Sequence, residues 1–119
     1  MNSATFAAMD IRELGRFAHA LRRKFTREYE AANSPRDIEI LIDLADRAQE
    51  ELETGHPTSV TKDDAAALAT ARRNLGRGQP RDLDQLAPDA RRDAEFRLSA
   101  SDALARIESV VQARLRTAA

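Results

Sequence analysis

Two histidines, His19 and His56, are the only imidazoles in the chain, and cysteine is absent, so little is available to build a nucleophile, a general base or a thiolate metal site. Neither histidine is paired in the sequence with a serine nucleophile and an orienting acid. Glu53-Thr54-Gly55-His56 has the Glu-x-x-His spacing with which helical bundles ligate paired iron. Gly55 and Pro57, however, place His56 past the end of its helix, and no second Glu-x-x-His occurs. No Gly-rich phosphate loop, dinucleotide fingerprint, Gly-x-Ser-x-Gly or His-Glu-x-x-His is present. His56 therefore reads as a loop residue near a helix C-terminus, and His19 as a surface residue bordering a basic face. The expectation is a non-enzymatic chain with no catalytic residue, metal or cofactor.

Charge is patterned instead. At about 100° per helical residue, Glu39, Asp43, Asp46, Glu50 and Glu53 fall within roughly 80° of one another, an acidic stripe. Like charges four residues apart cost a helix a few tenths of a kcal/mol per pair, which a basic partner would offset. Residues 34–54 carry a net charge of −5 and the rest of the chain +4. By the same arithmetic Arg12, Arg16, Arg23 and Arg27 fall within roughly 60°, opposite the apolar stripe of their own helix. The two stripes are expected to point outward, as solvated faces or as surfaces meeting a second chain. Ile40 and Leu44 lie about 100° from the centre of their helix's main apolar face. Either the core is wide enough to take them or they supply apolar contact to a partner, and the second alternative makes them part of the expected binding surface.

The most basic stretch is Arg72 to Arg81, where Arg72, Arg73, Arg77 and Arg81 occur with no acid between them. A Gly-containing loop there suits phosphate or minor-groove contact. Within it Arg77-Gly78-Gln79-Pro80 resembles the Arg-Gly-Arg-Pro core of AT-hook motifs, with Gln79 in place of the second Arg. Together with Arg12 to Arg27, which span about 22 Å of helix, these residues carry an alternative expectation of nucleic-acid binding. Against it, the net charge is −1, the interval Gly55–Val60 is too long for a helix-turn-helix, and Phe6, Phe17, Phe25, Tyr29 and Phe96 mostly fall at core-like positions rather than forming a stacking platform.

The elements that must position these residues follow from caps and periodicity. Asp10 with Glu13 reads as a capping box, and Met9 with Leu14 as a hydrophobic staple, before an apolar series of Ile11, Leu14, Phe17, Ala18, Leu21 and Phe25; a helix is expected over about 10–32. Ser34, Pro35 and Gly55 bound a second over 35–54. Thr61 with Asp64 opens a third, over 61–75, the weakest of the four. Gly76, Gly78 and Pro80 make a loop, Asp82 and Gln85 cap a short turn, and Pro88 starts a last helix running unbroken to about 116 through Ser99 and Ser101. The expected fold is all-α, a small antiparallel four-helix bundle: a flexible N-terminus over 1–9 and one domain over 10–119.

The 119 residues suit one domain. Fifty are apolar, but 23 of these are Ala and five are aromatic, so the core is thin. A thin core favours self-association, which buries apolar area that a small monomer leaves wet. The longest apolar run, Ala65 to Ala69, is far short of the roughly 20 residues that cross a bilayer. The N-terminus lacks the basic region and apolar core of a secretory signal. The expectation is a cytoplasmic interaction module, homodimeric, with a protein partner that is basic where it meets the acidic stripe.

Overall fold

The computed structural model describes residues 5–23, 34–76 and 86–118. They form four helices, with no strand among the described residues: α1 (Ala8–Arg23), α2 (Pro35–Thr54), α3 (Lys62–Gly76) and α4 (Pro88–Ala118). The expected continuation of α1 beyond Arg23 and the short turn near Asp82 lie outside the described residues.

Three of the starts have the expected local cause. Ser34 Oγ accepts the Asp37 amide at 3.1 Å with Pro35 at the first helical position, and Gly55, at φ 79°, closes α2 by donating its amide to the Glu51 carbonyl at 2.8 Å. At α3 the Thr61 amide donates to Asp64 Oδ2 at 2.9 Å and the Asp64 amide to Thr61 Oγ1 at 3.2 Å, a reciprocal cap. Pro88 opens α4, which carries Ser99 and Ser101 without a break because its apolar stripe continues across them. Its 31 residues, at about 1.5 Å each, match the 45 Å long dimension of the molecule.

The start of α1 departs from the expectation. The helix begins at Ala8, with Ile11 donating to the Ala7 carbonyl at 3.1 Å, so Asp10 sits inside the first turn and does not cap it. Its carboxylate is instead buried and takes the Arg106 guanidinium of α4 at 2.9 Å. Met9, expected to staple onto Leu14, is 71% exposed. Phe6, in the segment set apart from the bundle domain, is buried and belongs to the core.

Each helix packs on the next, and α1 on α4 closes the ring. Between α1 and α4 the ties run Phe6 to Arg114, Asp10 to Arg106 and Glu13 to Ser99, ascending one element as they descend the other. The core draws Phe6, Ile11, Leu14, Phe17 and Leu21 from the α1 side, Leu41, Leu44 and Ala48 from α2, Leu68, Ala71 and Leu75 from α3, and Leu104, Ile107 and Val111 from α4. No helix among the described residues is long and apolar enough to cross a membrane.

Candidate interaction faces and the charge network between them

The acidic residues of α2 stand on its outer side: Glu39, Asp43, Asp46, Glu50 and Glu53 are all exposed. Asp43 accepts Arg47 Nε at 2.7 Å, one turn on, and Glu53 accepts Gln49 Nε2 at 3.1 Å. Asp46 and Glu50 have no cation within ion-pairing distance among the described residues.

The apolar part of the expected surface is corrected. Leu44 is fully buried and supplies no outward contact, while Ile40 is half-buried, packed against the core with part of its side chain exposed. Because α2 lies between α1 and α3, its buried apolar arc runs from Leu44 to Ile42, about 160° of the helix, and the buried Glu51 extends it by about 20° beyond Leu44. A stripe judged from one neighbour is narrower than the face two neighbours cover.

On α1, Arg12 and Arg16 are exposed. Arg16 donates to Glu13 Oε1 at 2.9 Å on the same helix, and Arg12 has no acid partner among the described residues. On α3, Arg72 pairs with Glu108 of α4 at 2.8 Å, while Arg73 is exposed. Arg27, Arg77 and Arg81 lie outside the described residues, as does the Arg23 side chain. His19 is exposed, and so is His56, whose amide donates to Thr54 Oγ1 at 3.2 Å. No group of three or more His, Asp or Glu side chains that could hold a metal is found among the described residues.

Sequence reasoning missed a second set of charges, on the inner flank. Arg114 of α4 donates to both Glu51 oxygens, at 2.7 and 2.6 Å, and to the Thr58 carbonyl at 3.2 Å. The Thr58 amide donates to Glu51 Oε1 at 2.7 Å, and the Arg114 guanidinium carbon sits 4.5 Å from the centroid of the Phe6 ring. The Glu51 carboxyl is held below its ordinary value of 4.5, chiefly by the Arg114 hydrogen bonds, with the Thr58 amide adding to them and burial opposing. Beside it Arg47 donates to Asp43, to Asp64 Oδ1 at 2.9 Å and to the Ser59 carbonyl. Burial works against the Arg47 cation, yet hydrogen bonds and attraction from Asp43 and Asp64 outweigh it and its pKa is raised. The two arginines thus fasten the 55–61 loop to α2 and α4. Arg47 borders a cleft of about 380 Å³ that is also lined by Glu50, Glu51, Thr54 and His56 to Ser59.

The polar groups of that network satisfy one another, whereas Asp46 and Glu50 on the outer face of α2 and Arg12 on that of α1 make no ion pair among the described residues. The network ties α2, the 55–61 loop and α4 together, and the outer faces of α1 and α2 leave these three charges exposed. Comparison of the chain with known protein families, with curated proteins and with solved structures finds no match to any of them.

Proposed function

We propose that the chain is a non-enzymatic helical interaction module, of the adaptor, regulator or small inhibitory kind, that works in the cytoplasm as a homodimer and meets a cationic protein surface through the outer face of α2. One observation carries the reading: five acids share that exposed face, and Asp46 and Glu50 have no cation partner among the described residues. Keeping like charges in one stripe costs helix stability, and a complementary surface would relieve that cost while steering encounter.

Nucleic-acid binding along Arg12, Arg16 and the Arg72 to Arg81 segment has less support, because Arg72 is tied to Glu108 of α4 and the chain as a whole carries a net charge of −1. The test is a biosensor titration of the immobilised chain with a polyarginine peptide and, separately, a DNA duplex, over a salt series. The reading predicts peptide association that slows as salt rises and slows again in the variant with Asp43, Asp46 and Glu50 each replaced by Lys. Unchanged kinetics in that variant remove α2 from the account, and binding of the duplex with a linear log–log salt dependence puts the arginines first.

A further inference from the structure

We infer that the cationic surface met by α2 belongs to a second copy of this chain, whose α1 outer face, with Met9, Arg12 and Arg16, docks on the acidic outer face of α2 across a two-fold axis. The inference rests on the reading of α2 as an interaction face and adds what covers it.

The α1 face is suited to the task. Met9, Arg12 and Arg16 fall within about 60° of one another, opposite the buried Ile11, Leu14, Phe17 and Leu21. Met9, at 71% exposure, sets an apolar side chain beside the two cations, the mixture of apolar anchor and charged surround that binding faces use. On α2 the acids occupy an arc of about 80° with the same one-turn repeat.

Because α1 and α2 pack on each other, the basic and acidic strips are carried by adjacent helices of one molecule. They do not neutralise each other there: Arg12, Asp46 and Glu50 have no ion-pair partner among the described residues. A two-fold axis parallel to the helices and between the strips sets α1 over the partner's α2 and α2 over the partner's α1, so opposite charges meet twice. An axis crossing the helices would set acid on acid. Charge therefore selects one arrangement of the symmetric dimer.

The size of the surface sets its strength. Helices of sixteen and twenty residues are about 24 and 30 Å long and two side by side about 20 Å wide, so their faces cover at most roughly 500 to 600 Å² per partner, with the charged strips spanning about 10 Å of α1 and 21 Å of α2. That is below the roughly 800 Å² per partner of a standard interface, so the dimer is expected to be concentration-dependent and salt-sensitive.

Sedimentation velocity of the full chain and of two charge-reversed variants tests this, with helix content checked by circular dichroism. One variant is Arg12→Glu with Arg16→Glu, and the other Asp46→Arg with Glu50→Arg. The wild type should approach twice its 13.2 kDa at low salt, and its dissociation constant should rise about tenfold or more in high salt. Each variant alone should be monomeric and the equimolar mixture should dimerise, because every contact in the mixed pair again joins opposite charges. A chain carrying all four changes should regain self-association. A monomeric wild type at low salt and high concentration, or variants that remain dimeric alone, overturns the inference. A monomer that still binds polyarginine through α2 overturns the second copy while leaving the interaction face, and loss of both removes the two together.

Discussion

Glu50 and Glu51 are adjacent in the chain, identical in type and opposite in fate. Glu51 lies on the inner flank of α2, buried, with both oxygens held by Arg114 and one also by the Thr58 amide. Glu50 lies on the outer face, exposed, with no cation partner among the described residues. One helical step of about 100° separates a carboxylate that ties three segments together from one that presents charge outward. The same contrast separates Arg114 from Arg12. Position relative to the apolar stripe, more than residue type, decides whether a charge serves the fold or the surface.

The sharpest way to break this contrast is to disturb the inner flank. Leu44→Ala should cost about 3 to 4 kcal/mol in urea denaturation, because Leu44 is fully buried; a change near zero would return it to the surface where the sequence first suggested it. Arg114→Met should cost about 3 kcal/mol by leaving Glu51 buried without its cation, and Glu51→Gln in the same background should recover part of that loss.

A smaller effect follows from acid. The folded-state pKa of Glu51 lies below its ordinary value of 4.5, so its contribution is fully present above that value and is lost as pH falls through the folded pKa. The urea midpoint of the wild type should therefore drop below pH 4.5 more steeply than that of Glu51→Gln. Parallel pH profiles would mean the ion pair adds nothing. Smallest of all, Asp46→Ala and Glu50→Ala should raise the urea midpoint slightly, by the few tenths of a kcal/mol that each relieved like-charge pair had cost, while weakening whatever the face binds.

Local signals were legible in the sequence. Ser34, Pro35 and Gly55 bound α2, Thr61 with Asp64 caps α3, and Pro88 opens α4, because each acts on backbone groups within a few residues. Asp10 misled because a capping box can be read where Ala7 and Ala8 also continue a helix, and what draws Asp10 inward is Arg106, distant in the chain. The burial of Leu44 depends on α3 flanking α2, which no local pattern states. Glu51 and Arg114 did leave a trace. Glu51 follows Ala48 by three positions and Arg114 follows Val111 by three, so each continues an apolar stripe with a charge, and the two charges are opposite. The exposure of the outer acids was legible because they lie opposite the centre of α2's apolar arc, beyond the reach of either neighbour.

The most direct test of the central claim is to follow backbone amide shifts by NMR as the protein is diluted from millimolar to micromolar concentration at low salt. Shifts confined to the outer faces, at Met9, Arg12 and Arg16 on α1 and Asp43, Asp46 and Glu50 on α2, with Glu51, Thr58 and Arg114 unmoved, are the predicted result. Shifts concentrated on the Glu51 to Arg114 end, or none on either outer face, would contradict the division between charges that hold the fold and charges that meet a second molecule.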